Sequence, residues 1–122
     1  MADTHLDPSV LSALREVMED EYPELLDTFI RDCEERLHLL QNAADAMQLM
    51  EAAHSFKGSS SNMGAVQLAA LCHQLEERSR RDEVAGVDEL LVSIDNEYST
   101  VRRLFDAERQ LLIAQPLTTL NG

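Results

Sequence analysis

The chain has 122 residues, a length that suits one domain with a single hydrophobic core. Hydrophobic residues make up 44% of it and aromatic residues only 4%, and four glycines and three prolines are too few for many tight turns, so the composition favours an all-helical domain. The formal net charge of −13 repels phosphate backbones and anionic lipids, which argues against nucleic acid and membrane surfaces as partners.

The N-terminal sequence MADTHLDPSV contains neither a basic n-region nor an apolar h-region, so no secretory signal is predicted and we expect the protein in the cytoplasm. Uninterrupted apolar runs are only a few residues long, which excludes a transmembrane helix. Cys33 and Cys72 do not have the spacing of a CxxC or zinc motif. Both fall among apolar positions, and we therefore expect two buried, reduced thiols.

Two helices are predicted in the first third of the chain. Asp7 as N-cap and Pro8 at the first helical position predict a short helix over residues 8–19. Pro23 opens a longer amphipathic helix over residues 23–43. Its apolar stripe has steps of three and four residues and consists of Leu26, Phe29, Ile30, Cys33, Leu37 and Leu40.

A third helix is predicted to begin near Asp45 and to stop at Asn62 and Gly64. The spacing of its apolar and small residues predicts an inward stripe. The stripe consists of Ala46, Leu49, Ala53, Phe56 and Ser60. His54 lies about 100° away from Ala53, on a flank that is partly packed and partly wet.

A fourth helix is predicted over residues 65–80 and a long fifth helix over residues 88–113, with Gly86 in the loop between them. The end of the fourth helix is highly polar; its charged residues are Glu76, Glu77, Arg78, Arg80 and Arg81. Pro116 is expected to end the fifth helix, which leaves residues 114–122 as a mobile tail.

Four longer amphipathic helices with short connections predict an antiparallel up-down-up-down four-helix bundle. The short first helix is expected to cap one end of this bundle. The chain is thus interpreted as one domain over residues 1–122, with its helical core at about residues 8–113.

One segment of the third helix is not what helix propensity alone would select. His54, Lys57 and Gly58 stand at positions i, i+3 and i+4 and therefore share one helical face. Gly58 costs the helix about 1 kcal/mol relative to alanine, and the three serines that follow it add little helix propensity. A helix that keeps such a segment is expected to need it for function.

This combination suits a histidine that carries a phosphoryl group. Imidazole is largely neutral at pH 7 and can accept the group on a ring nitrogen. An ammonium group one turn away offsets the added negative charge, and the glycine removes bulk so that a second protein can approach. No Gly-rich phosphate loop or Mg²⁺-binding carboxylate cluster accompanies His54, so the site is expected to hold a phosphoryl group but not to cleave ATP.

The segment HSFKGSS from His54, followed by Met63-Gly64-Ala65 and by LCHQLE from Leu71, resembles the histidine-containing phosphotransfer (HPt) domain family of two-component phosphorelays. The family pattern H-x-x-K-G-S/A-S, with a Gly-Ala pair several residues later, is matched position by position. The resemblance extends over the helical layout, about residues 8–113.

The resemblance implies that His54 is phosphorylated on Nε2 by the aspartyl phosphate of a receiver domain. Lys57 would stabilise the phosphohistidine and Gly58 would permit docking. The implied partners are receiver domains of hybrid sensor kinases and response regulators, which would supply the Mg²⁺, so that the chain needs no cofactor or metal of its own. A bacterial phosphoryl carrier without kinase activity, monomeric by default, is therefore expected.

The family usually has an apolar patch for docking near its histidine. The residues proposed here for docking, besides Gly58, are Leu14, Met18, Met50 and Ser61. The acidic face of the second helix and the arginines at the end of the fourth are alternative sources of partner selectivity, and the sequence does not choose between them.

Two alternatives belong to other functional classes. Helical bundles bind two irons through Glu-x-x-His pairs, and the chain has two such pairs, Glu35-x-x-His38 and Glu51-x-x-His54. Lys57 would repel a metal at His54, and His38 is predicted to face away from the core. The other alternative is a helical adaptor that binds a partner without chemistry.

Overall fold

The computed structural model describes the backbone of residues 5–121 and the side chains of residues 5–112. This part of the chain contains five α-helices and no strand, which confirms the predicted all-α class. The helices are α1 (Pro8–Met18), α2 (Tyr22–Gln41), α3 (Ala46–Asn62), α4 (Val66–Arg80) and α5 (Val87–Asn121), with a single 3₁₀ turn at Glu19–Glu21 between the first two.

The predicted helix starts are confirmed by their capping contacts. The Asp7 carboxylate accepts a hydrogen bond from the Ser9 backbone N–H at 3.0 Å and caps α1. The Asp45 carboxylate accepts one from the Gln48 N–H at 2.9 Å and caps α3. Each cap satisfies a backbone donor that the first helical turn would otherwise leave unpaired.

Helices α2 to α5 form a closed ring in which each helix packs against the next and α5 packs back against α2. Connections of only a few residues make consecutive helices antiparallel. The predicted up-down-up-down bundle is confirmed. In the part of the chain that the structure describes, no helix is long and apolar enough to cross a membrane.

The N-terminal segment and α1 cover one end of the bundle. Leu6 is buried, and the Asp7 N–H donates to the Gly64 carbonyl at 2.8 Å, which joins the segment to the turn between α3 and α4. From there α1 crosses to the beginning of α2, as its packing against that helix shows. The predicted capping position of the first helix is thus confirmed.

The core is built from aliphatic side chains and a few aromatic rings. Phe29 on α2 and Phe105 on α5 are in tilted contact, with ring centroids 5.4 Å apart, while Phe56 on α3 is fully buried. Cys33 and Cys72 are free and buried, as predicted. Burial raises the pKa of the Cys72 thiol to about 12 and that of Cys33 further, so neither is a thiolate near neutral pH.

The predicted end of the last helix is wrong. Helix α5 continues to Asn121 and passes Pro116 without stopping. A proline inside a helix removes one backbone hydrogen bond and can kink the helix without ending it. The predicted boundary between core and tail near residue 113 falls where the structure describes no side chains, and it stays a prediction.

Two glycines differ in what they contribute to the fold. Gly64 has φ +74°, and a Cβ there would lie 3.1 Å from the Val10 Cβ, whereas a Cβ on Gly58 would meet no atom within 4 Å. We expect Gly64→Ala to lower the free energy of unfolding by about 1–2 kcal/mol, and Gly58→Ala to raise it by up to about 1 kcal/mol. Urea unfolding of both variants measures this, and equal effects would contradict it.

Candidate functional site

The predicted face of α3 is present in the structure. His54 is 68% exposed, and Lys57, one turn later, is 28% exposed. Gly58 completes the face and leaves open space beside the imidazole, since nothing lies within 4 Å of the position of a Cβ. The ring is therefore reachable from outside along the side that the glycine leaves free.

A buried carboxylate from the neighbouring helix α4 stands directly behind this face. The Glu76 side chain is only 4% exposed. Its Oε2 lies 2.8 Å from His54 Nδ1, in a hydrogen bond. Its Oε1 lies 2.6 Å from Lys57 Nζ in an ion pair, although Oε1 has no hydrogen bond of acceptable geometry among the described residues. One carboxylate thus holds both side chains.

Arg80, one turn after Glu76 on α4, brings a second permanent cation to the site. Its Nη2 lies 3.1 Å from Glu76 Oε2, and its Nε lies 3.4 Å from a carboxylate oxygen of Glu77. His73 is more distant, with Nδ1 4.0 Å from Glu76 Oε1. We name the four side chains His54, Lys57, Glu76 and Arg80 the His54 cluster.

The hydrogen bond to Glu76 determines how the imidazole is presented. The carboxylate is an acceptor, because Lys57 above all, and His54 as well, lower the pKa of Glu76 and favour its ionised form. His54 Nδ1 must therefore carry the proton that it donates, which leaves the lone pair on Nε2. No hydrogen bond occupies Nε2 within residues 5–112. The nucleophilic nitrogen is thus the one on the open side.

The residues predicted for docking are distributed over two places. Met50 is half-buried and lines a shallow depression together with His54 and Arg80, and Ser61 is exposed on α3. Leu14 and Met18 lie on α1, half-buried against the core, and neither lines that depression. Docking roles for all of these residues, and for Gly58, stay predictions.

Sequence reasoning counted Glu76 and Arg80 only among the charged residues at the end of the fourth helix and missed their contacts with the face of His54. A signal was available for Glu76. It follows Cys72 by four residues and so continues the inward stripe of α4, where a charged residue requires a partner. The identity of that partner depends on how α3 and α4 align, which the periodicity of one helix does not specify.

The di-metal hypothesis finds no support in the geometry. His38 is exposed and lies in contact with Asn42 on its own helix, while His54 Nδ1 is engaged by Glu76. Within the side chains of residues 5–112, no three His, Cys, Asp or Glu residues are placed to hold a metal ion. In this part of the chain the two Glu-x-x-His pairs are therefore not gathered into one metal-binding cluster.

Fold and site together define a helical bundle with an oriented, exposed histidine on its surface. The family model of the Hpt domain matches residues 24–109, and the chain belongs to this family. Histidine phosphotransfer in two-component signalling is therefore its function, as the sequence predicts. Members of the family are phosphoryl carriers that work with receiver domains.

A solved relative has nearly the same length and fold. The crystal structure of histidine-containing phosphotransfer protein B (HptB) from Pseudomonas aeruginosa PAO1 is 54% identical, covers 89% of this chain and 97% of that one, and superposes with a TM-score of 0.84. Histidine-containing phosphotransfer protein 2 of Arabidopsis thaliana is 27% identical over 115 residues, which cover 83% of this chain and 74% of that protein.

The lowered pKa of Glu76 makes the stability of the cluster depend on pH. A carboxylate with a folded-state pKa below its unfolded value stabilises the protein above the unfolded value, and this contribution is lost as the pH falls through the folded one. We expect Glu76→Gln to lower the free energy of unfolding by about 1–3 kcal/mol at pH 7 and by progressively less as the pH falls below the unfolded-state pKa of about 4.3. Urea unfolding at pH 7 and at an acidic pH below that value tests this.

Glu77→Gln is the matched control, since Glu77 pairs with the same arginine but is 35% exposed. Its effect on the free energy of unfolding should stay within about 0.5 kcal/mol at either pH. A difference between wild type and Glu76→Gln that does not shrink in acid would show that the ionisation of Glu76 is not the source of the stabilisation.

Proposed function

We propose that His54 is the residue of this domain that carries the phosphoryl group. Its Nε2 lone pair attacks the phosphorus of a receiver aspartyl phosphate, an N–P bond forms, and the acyl P–O bond breaks as the aspartate leaves as a carboxylate. The reverse step passes the group to a second receiver. The supporting observation is the 68% exposed ring whose Nδ1 is held by a buried carboxylate.

Glu76 is assigned the role of a positioning residue. When Nε2 forms its bond to phosphorus, the ring that keeps its Nδ1 proton becomes cationic. The ionised carboxylate 2.8 Å away stabilises that charge and fixes the plane of the ring. Glu76 thus acts on the imidazole as the acidic member of a catalytic triad acts on its histidine.

Lys57 and Arg80 are assigned to the charge of the phosphoryl oxygens. Both cations contact Glu76 in the unphosphorylated domain. After transfer, the dianionic phosphoryl group on His54 would interact with the same two cations, together with the Glu76 carboxylate. Lys57 is less exposed than Arg80, at 28% against 54%, and its field is less screened by water. Lys57 is therefore the main partner of the phosphoryl group.

The remaining functional assignments are part of the same proposal. The domain acts as a carrier without kinase activity and needs no cofactor of its own. Mg²⁺ is bound by the partner receiver, where the acyl phosphate is made and broken. We propose receiver domains of hybrid sensor kinases and response regulators as partners, a monomeric state and a cytoplasmic location. Gly58, with no atom near the position of a Cβ, leaves room for the receiver loops.

Replacement of His54 tests the assignment of the acceptor. We expect His54→Gln to abolish labelling by a ³²P-phosphorylated receiver, because glutamine offers no ring nitrogen. His73→Gln is the matched control. The His73 Nδ1 is 4.0 Å from Glu76 Oε1, too far for a hydrogen bond, and this variant should be labelled like wild type. The label should be acid-labile and alkali-stable. Equal labelling of both variants would refute the assignment.

Replacement of each cation tests how the phosphoryl charge is stabilised. We expect Lys57→Ala to slow phosphoryl acceptance about tenfold or more, since one charge-assisted hydrogen bond contributes about 1.5–3 kcal/mol. Arg80→Ala should have a smaller effect, and Arg103→Ala, an exposed arginine of α5, should have none. Rapid-quench transfer rates measure this. A larger loss for Arg80→Ala than for Lys57→Ala would reverse the assignment.

A further inference from the structure

The end of the bundle opposite α1 is open. A cleft of about 580 Å³ lies between the α2–α3 and α4–α5 connections. Its floor is apolar and consists of Leu40, Leu49, Val87 and Leu91. A cleft of this size lies within the range of specific ligand pockets and can accommodate a few side chains of a bound peptide.

The rim of this cleft carries negative charge only. Its charged residues are Asp45, Asp82, Glu83 and Asp88, and no lysine, arginine or histidine lines the cleft. Within residues 5–112, no ion pair involves Asp82, Glu83 or Asp88. Arg78 donates to the Ala85 carbonyl in the same loop but pairs with none of these three carboxylates, which therefore stay available to a cation from outside.

Some acidic residues elsewhere on the bundle are paired. On the side walls, Asp27 pairs with Arg109 and Glu34 pairs with Arg102, both at 2.8 Å. Other exposed acidic residues, such as Glu35 and Asp106, form no ion pair among the described residues. The open end differs from those sites because its carboxylates surround an apolar surface, an arrangement that complements a segment with aliphatic and basic side chains.

The wall of the cleft is formed before any partner arrives. Arg78 donates from Nη1 to the Ala85 carbonyl at 2.7 Å, and the Glu83 N–H donates to the Arg78 carbonyl at 2.8 Å. These bonds tie the α4–α5 loop back to α4. The tied loop presents Val84, which is 83% exposed, at the lip of the cleft. A preformed wall lowers the ordering cost of binding.

We propose that the open end is a second docking site, which binds a basic peptide segment of a partner protein through one or two aliphatic anchors flanked by lysine or arginine. The site is separate from the His54 cluster. Asp45, at its edge, precedes His54 by nine residues of α3, about 13 Å along the helix axis. Peptide binding at the open end therefore does not require the His54 imidazole.

The test is an NMR titration of the ¹⁵N-labelled chain with a synthetic peptide, acetyl-KRLVKLRK-amide. A control peptide has serine in place of each aliphatic residue. We expect saturable shifts confined to residues 40–49 and 79–91 for the first peptide only, with binding that weakens as salt screens the rim. No saturation up to about 1 mM, the limit of weak recognition, would overturn the proposal.

Matched variants separate the cleft from general charge attraction. Glu83→Gln with Asp88→Asn should weaken binding about fivefold, whereas Glu35→Gln with Asp106→Asn, the same charge change at exposed sites elsewhere, should not. Val84→Ser should weaken it, and Val92→Ser, at a 61% exposed valine outside the cleft, should not. Equal losses in variant and control would overturn the proposal. His54→Gln should bind the peptide like wild type, so this result is independent of phosphotransfer.

Discussion

The site depends on the carboxylate of Glu76, which is buried where an unpaired charge would destabilise the fold. Glu76 continues the inward stripe of α4 and is almost fully buried, and its removal from water is compensated by groups of both α3 and α4. His54 and Lys57 come from one helix and Arg80 from the other. The same contacts that join the two helices also select the tautomer of the imidazole. Stability of the fold and reactivity of the ring are therefore properties of one cluster.

Much of the fold was predictable from the sequence, because the required information is local. The spacing of apolar residues gave the helices, and Asp7, Asp45 and Pro23 gave their starts within a residue or two. The end of α5 was not predictable in this way. Proline is a strong signal for the end of a helix, but the cost of one missing backbone donor does not by itself decide whether the chain leaves the helix.

The candidate site was predictable only in part, for a related reason. His54, Lys57 and Gly58 lie within five residues on one helix, so their proximity follows from helical geometry alone. The contact between His54 and Glu76 joins residues 22 positions apart in two helices, and it depends on their axial alignment. Leu14 and Met18 were proposed for docking without knowledge of where α1 lies, and the structure places them against the core.

The exposure of His54 has a consequence for the lifetime of a signal. In the proposed function receiver domains must reach this ring, and the same exposure opens it to water, so the domain shields the phosphoryl group little against hydrolysis. In the absence of a receiver, the persistence of the phosphorylated form is set by the intrinsic strength of the N–P bond and by the few charges around it. Small changes in the charges at that surface would therefore alter the lifetime of the phosphorylated form, and with it the duration of the signal.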